Sequence, residues 1–320
     1  MASARNFGHS MLFRTWIFEF KICVTPVDEA TALRYNLSML TRDEERYVLD
    51  TAYIPEHIPG LMGPVSKGEA FLKDDYLSFA KENWLIFVGY PLSKDFSETT
   101  CVAAVERALA AFRPEYLWFA GPRIPSAILE GSTEQQTDNY YRIDVDAPHP
   151  VSLLRQAQKA ASVLRVERSG NFSKKHAALI KEFLKRKTVP PMIRELYRAM
   201  PDYVAACSAA EMLAAYDSNG GLSALFVVDL SAKVFATYVV GCYSRKHYVA
   251  HASDLLFLEM IESAKREKKQ HINLGLGVNA GIRRFKEKWG GAPFLTYQFC
   301  ERKYTRAKVN PLIRLLGDKL

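Results

Sequence analysis

Two stretches of the chain repeat one pattern: strand, turn, strand, helix, strand. In the first, YLSFA (76–80) and WLIFVGY (84–90) flank the polar turn Lys81-Glu82-Asn83. An Ala-rich amphipathic helix follows at 98–112, and then EYLWFAG (115–121). A helix over 69–82 is the competing reading of the hairpin. In the second, LSALFVV and FATYVVGCY form a hairpin across Ser231-Ala232, followed by a helix at 254–268 and the strand HINLGLG (271–277). Each unit is a hairpin whose helix returns a third strand to the same sheet, so two similar α/β lobes are expected. The boundary falls near 147–170, around Ala147-Pro148-His149-Pro150, and divides the chain into 1–150 and 151–320. Between the repeats, YYRIDVD (140–146) reads as a strand, 151–164 as a helix, 164–168 as a short strand and 169–198 as basic helix. Ser208 and Glu211 have capping-box spacing, which predicts a helix over 208–217 closed by Asn219-Gly220-Gly221. A helix over 280–290 and a strand over 293–301 complete the reading.

Of the 320 residues 48% are hydrophobic and 24% charged, enough apolar material for a core and far from the composition of disorder. No apolar run reaches the ~18 residues of a membrane span. The N-terminal residues lack the basic, apolar, small order of a signal peptide, so a cytoplasmic protein is expected. The five cysteines (23, 101, 207, 242, 300) are widely spaced without a C-x-x-C pair, which argues against a disulfide framework or zinc site. His247 and His251 fall in HYVAH, which reads as a strand; there they would stand roughly 13 Å apart, too far to share a metal. No metal site is expected.

The formal net charge of +8 is unevenly placed. Residues 165–198 hold 10 Lys and Arg against 3 Asp and Glu, and residues 261–320 hold 14 against 5. The remainder is acidic. Two such basic blocks attract polyanions; the alternative is a pair of solvated helix faces.

Residues 271–291, HINLGLGVNAGIRRFKEKWGG, carry the chemistry. A strand runs into Gly275-x-Gly277, then Asn279 as a helix N-cap, then a short helix closed by Gly290-Gly291. Ile282, Phe285 and Trp289 share a face that would anchor the helix, leaving Arg283, Arg284, Lys286 and Lys288 to point elsewhere. The turn at 275–281, with Gly277, Asn279 and Gly281, offers backbone N–H groups to an anion. Its G-x-G-x-x-x-G spacing is not the dinucleotide fingerprint.

Residues 251–291 resemble the C-terminal lobe of the FemABX-like transferases, a branch of the GNAT (Gcn5-related N-acyltransferase) superfamily. The resemblance rests on Gly281-Ile282-Arg283-Arg284-Phe285-Lys286 followed by Gly290-Gly291, and is clearest over about 220–301. It implies an α/β (α+β) chain of two GNAT-like lobes, each a mixed central sheet flanked by helices. It implies acyl or aminoacyl transfer from an activated donor to an amine. Acyl-CoA and aminoacyl-tRNA are the candidate donors, tRNA a possible partner, and no cofactor is tightly bound. The lysine carried over is Lys286, a cation placed to stabilise the oxyanion of acyl transfer, with Arg283, Arg284 and Lys288 as anion contacts. Arg245 and Lys246 fall in the loop where donor phosphates would lie. Asp254 is a candidate proton acceptor, although an acidic residue opening a helix is more often a cap, and Tyr243 a candidate general acid.

The sequence departs from the GNAT pattern in one respect. Neither 91–98 nor 244–254 contains the glycine loop that grips the pyrophosphate of CoA, which favours another donor or a degenerate site. A non-catalytic module for RNA or an anionic surface, and a simple CoA-dependent acetyltransferase using the first lobe, are the rival readings.

Overall fold

The computed structural model describes residues 39–187 and 189–304; Cys23 and the N-terminal residues read for a signal lie outside them. The first lobe opens with helices α1 (Arg42–Thr51) and α2 (Pro59–Ser66), joined through a 3-10 turn at Pro55–His57. Strands β1 (Glu69–Lys73), β2 (Tyr76–Lys81) and β3 (Trp84–Val88) follow, then α3 (Glu98–Phe112), β4 (Tyr116–Gly121), the single-turn α4 (Ser126–Leu129) and β5 (Ser132–Asp144). The second lobe runs through α5 (Val151–Ala161), β6 (Arg165–Ser169), α6 (Lys174–Arg186), α7 (Pro191–Ala206), β7 (Ala210–Tyr216), β8 (Leu222–Asp229) and β9 (Phe235–Tyr243). It closes with α8 (Ala252–Arg266), β10 (His271–Leu276), α9 (Ala280–Lys288) and β11 (Ala292–Lys303).

The repeat read from the sequence is a repeat of topology. β2 pairs antiparallel with β3, and α3 returns β4 parallel to β3. In the same way β8 pairs antiparallel with β9, and α8 returns β10 parallel to β9. Among the described residues the eleven strands form one sheet in the order β1-β2-β3-β4-β11-β5-β10-β9-β8-β7-β6. The last strand of the chain therefore inserts between β4 and β5, and β5 pairs on its other side with β10.

Side-chain alternation sets the layers. Along β3, Leu85 and Phe87 meet α3 through Cys101, Ala104 and Val105, while Trp84, Ile86 and Val88 join Ile54 and Tyr140 beneath the first helices. In the second lobe α5, α8 and α9 cover one face through Leu256, Phe257, Met260 and Trp289, and α2, α6 and α7 cover the other through Leu61, Leu179 and Tyr203.

Four readings are corrected. Residues 208–217 are not a helix: 210–216 form β7, six of its seven positions buried between β6 and β8. Sheet pairing on both edges overrides the alanine-rich helical propensity, and Glu211, instead of capping, accepts from Ser263 and from Arg266 at 2.8 Å. HYVAH is not a strand but the turn between β9 and α8. There His247 faces Asp217 at 3.3 Å and His251 faces Asp254 at 3.2 Å, so the two imidazoles serve different carboxylates. On α9 the buried face is Phe285, Lys286 and Trp289, whereas Ile282 is 37% exposed. Residues 69–81 are the β1–β2 hairpin rather than a helix. Among the described cysteines 101, 242 and 300 are buried and Cys207 partly so, all as free thiols.

Candidate active site

The site lies where β9 and β10 part. These parallel strands share only three rungs, His271 with Phe235, Ile272 with Ala236 and Asn273 with Thr237. A bulge in β9 opposite Val227–Val228 and another in β10 between Asn273 and Gly275 turn the strands away from each other beyond that point. The carbonyls of Gly241 and Tyr243, past the divergence, are taken by the Tyr197 hydroxyl (2.5 Å) and Arg186 Nη2 (2.8 Å). In the first lobe the corresponding β3 and β4 stay paired over five rungs, extended by Gly89 N–H to the Ala120 carbonyl at 2.6 Å.

Past β10 the chain makes a tight turn into α9. Val278 adopts φ +54°, a costly conformation for a β-branched residue. A Cβ on Gly277 would stand 2.7 Å from Asp138 Oδ1, so a larger residue there would displace the Asp138 side chain. Asn279 caps the helix as expected, its Oδ1 accepting from Gly281 and Ile282 N–H at 3.0 Å each. Three further N–H groups of the turn are engaged: Gly275 with Asn273 Oδ1 (2.8 Å), Gly277 with the Asn139 carbonyl (3.3 Å) and Val278 with Asp138 Oδ2 (2.8 Å). The chain's own carboxylate thus occupies the Val278 donor of the anion cradle. Asp138 sits in the polar run before YYRIDVD, and no pattern in the sequence marks it.

Lys286 is 3% exposed. Its Nζ donates to the Leu276 carbonyl at 2.6 Å and lies 5.6 Å from the centre of the Tyr141 ring. Burial pulls its pKa down to about 7, partly offset by Asp138. Lys288 and Asp254 form an ion pair, with Trp289 Nε1 donating to the same carboxylate at 3.1 Å. Asp254 is therefore positioned by α8 to hold the end of α9. Arg283 is half-buried and Arg284 exposed. Arg245 and Lys246 are exposed on the loop after β9, where Glu182 of α6 accepts from Ser244 Oγ (2.9 Å) and Arg245 N–H (2.7 Å). Tyr243 ends β9 under Arg186, whose guanidinium lies 4.6 Å from its ring centre and holds the phenol below its ordinary pKa. The predicted residues thus form two groups, Lys286, Lys288 and Asp254 under α9 and Tyr243, Arg245 and Lys246 at the exit of β9. Sequence reasoning missed Arg186, Glu182 and Asp138. Among the described residues no group of three or more His, Cys, Asp or Glu side chains could hold a metal ion, and no helix is long and apolar enough to cross a membrane.

No family model matches the sequence, and no curated protein matches it. Solved structures do match in fold. L-PGS from Bacillus licheniformis is 14% identical, with a TM-score of 0.53 over 88% of this chain and 98% of that one. FemX is 10% identical, with a TM-score of 0.54 over 88% and 99%. A tandem GNAT protein from the clavulanic acid biosynthesis pathway is 12% identical, with a TM-score of 0.52 over 85% and 98%. The class is therefore that of GNAT-like folds built of two lobes. Within it the chain has the FemABX-like form, a mixed α/β architecture on one large, mostly antiparallel sheet. At these identities the likeness is one of fold alone.

Proposed function

We propose that the chain is an N-acyl- or aminoacyltransferase whose second lobe, within 151–320, does the work. The observation that carries this is the asymmetry between lobes: β9 and β10 separate after three rungs, with a buried lysine amine at the exit, while β3 and β4 stay closed. Parted parallel strands offer backbone groups to an extended donor, and a lysine ammonium has three donors, of which Lys286 spends one on Leu276. The acceptor amine attacks the acyl carbonyl directly, and Lys286 stabilises the oxyanion. As the bond from the acyl carbon to the donor breaks, Tyr243 gives its proton to the leaving group and takes in its place the proton shed by the attacking nitrogen, and Arg245, Lys246, Arg283 and Arg284 bind the donor's phosphates. Lys288 and Asp254 hold α9 over the site. Aminoacyl-tRNA and acyl-CoA are the candidate donors; the absence of a G-x-G loop in 244–254 favours the former. The closed β3–β4 pair speaks against a simple acetyltransferase working from the first lobe.

A non-catalytic binding module is the second reading, favoured by the internally satisfied turn at 275–281. Lys286→Ala, assayed with aminoacyl-tRNA and acyl-CoA donors, separates the two. A loss of transfer of about a hundredfold is expected, and transfer unchanged within twofold ends the assignment.

A further inference from the structure

The loops that follow β3 and β9 hold the same place in the two lobes, each between a hairpin and the helix that returns the next strand. Neither 91–98 nor 244–254 contains a glycine. In both, a carboxylate from elsewhere in the chain sits on a backbone N–H. After β3, Asp75 of the β1–β2 turn accepts from Ser93 N–H at 2.7 Å. After β9, Glu182 of α6 accepts from Arg245 N–H at 2.7 Å and from the Ser244 hydroxyl at 2.9 Å, and the Lys246 N–H acts on it as well. The turn into α9 repeats the arrangement, with Asp138 on Val278 N–H at 2.8 Å.

Successive backbone N–H groups beside a hydroxyl make an anion site, and after β9 the anion is the chain's own. Partial burial raises the Glu182 pKa, but the Arg245 N–H, the Ser244 hydroxyl and the Arg186 charge together hold it below its ordinary value, so the group stays a carboxylate. Ser244 is 1% exposed and held in place: its N–H donates to the Ser223 carbonyl at 2.8 Å and its hydroxyl oxygen accepts from His247 N–H at 3.0 Å, which aims the hydroxyl proton at Glu182. The surroundings are cationic. Arg186 and Lys187 at the end of α6 and Arg245 in the loop all act on the neighbouring Tyr243 phenol, and Lys246 is exposed next in line. Four basic side chains thus draw an anion to this loop, while the carboxylate holds the backbone donors that would grip it. A pyrophosphate, with two phosphates side by side, depends on such fixed donors. Phosphates spaced along a chain can be met one at a time by the long side chains of Arg245 and Lys246.

We infer that Glu182 is a donor-selecting residue: its carboxylate fills the anion site of Ser244, Arg245 and Lys246, so that the second lobe turns away a compact pyrophosphate and leaves the donor's phosphates to basic side chains. The inference rests on the acyl-transfer reading for its place in the reaction. The first lobe is closed in the same way by Asp75, so neither loop offers its backbone to a pyrophosphate.

Calorimetric titration of the full chain with inorganic pyrophosphate and with CoA tests this. Glu182→Gln removes the charge and keeps one oxygen for the loop, while Glu182→Ala empties the site. Each variant is expected to bind both probes about tenfold more tightly than the parent, the worth of a hydrogen bond to a charged group. Glu195→Gln on α7, whose carboxylate pairs with Arg198 in solvent, removes the same charge elsewhere and should change binding by less than about twofold. Should Glu182→Ala lower the Tm, Glu182→Gln alone decides. Binding in the Glu182 variants that is undetectable, equal to the parent's or weaker overturns the inference and leaves Glu182 a support of the loop. An equal gain in Glu195→Gln overturns it too, by reducing the effect to net charge. The gain on Glu182→Gln should persist in a Lys286→Ala background that has lost transfer, so failure of the selection and failure of the acyl-transfer reading show in different measurements.

Discussion

The amine of Lys286 donates to the carbonyl of Leu276 over 2.6 Å, ten residues back along the chain, and ties α9 to the strand that launches it. The bond places a cationic group in an interior that resists charge, and burial lowers its pKa from 10.5 to about 7. Between those values the unfolded chain binds more protons than the folded one, so this lysine makes stability rise with pH across that window. Its penalty is complete below pH 7 and gone above about 10.5. Lys286→Met, neutral and similar in length, should lose the hydrogen bond at every pH, a cost of about 1 kcal/mol. It should also escape the charge penalty, about 1.4 kcal/mol per pKa unit at its maximum. Melting curves should show the Lys286→Met variant gaining on the parent as pH falls from 10 to 7. A difference independent of pH would refute the assignment.

Asp254 gathers Lys288, Trp289 Nε1 and His251 at the first turn of α8. Asp254→Ala leaves the buried indole N–H without its acceptor, and a loss of about 1–3 kcal/mol is expected in urea unfolding. Lys288→Ala should cost under about 1 kcal/mol, because that side chain is 36% exposed and its ammonium can return to water. Equal effects would mean that the ion pair, rather than the indole bond, holds the helix end.

Gly291 and Gly275 should respond differently to alanine. A Cβ on Gly291 would stand 2.8 Å from Leu274 Cδ1 and 2.9 Å from the Lys286 carbonyl oxygen, and the backbone atom cannot swing aside. Gly291→Ala should cost about 2–3 kcal/mol and disturb transfer with it, through displacement of Lys286. Gly275 has φ +72° but open space around it, so Gly275→Ala should cost about 1 kcal/mol, from the backbone alone. Equal losses in chemical denaturation would contradict the packing argument.

The lobe repeat was legible because its strands are apolar runs bounded by turn residues, and the α9 cap because Asn279 and Gly290-Gly291 are local signals. What escaped was set by distant parts of the chain. Residues 210–216 have a helix former's composition and became a strand because β6 and β8 both pair with it. Lys286 reads as a surface charge on periodicity grounds, yet Phe285 and Trp289 carry it inward to a carbonyl that only the β10 turn supplies. Arg186 and Glu182 lie far in sequence from the residues they meet, and no spacing rule connects them.

Among the described residues Tyr243 should be the first tyrosine to ionise. The Arg186 side chain holds its phenol below the ordinary value, helped by the charges of Lys187 and Arg245 and opposed by partial burial. Tyr53, Tyr90, Tyr140, Tyr203, Tyr238 and Tyr297 are all raised by desolvation. An ultraviolet absorbance titration of the folded protein should therefore begin with a single phenolate step below the main transition. Tyr243→Phe should delete that step, and Arg186→Met should move it upward, since the neighbouring cation favours the charged form. If transfer depends on Tyr243 as an acid, the alkaline limb of its pH profile should rise with that step in Arg186→Met. An alkaline limb that stays put while the phenolate step moves would remove Tyr243 from the proton path and leave it a packing residue beneath Arg186.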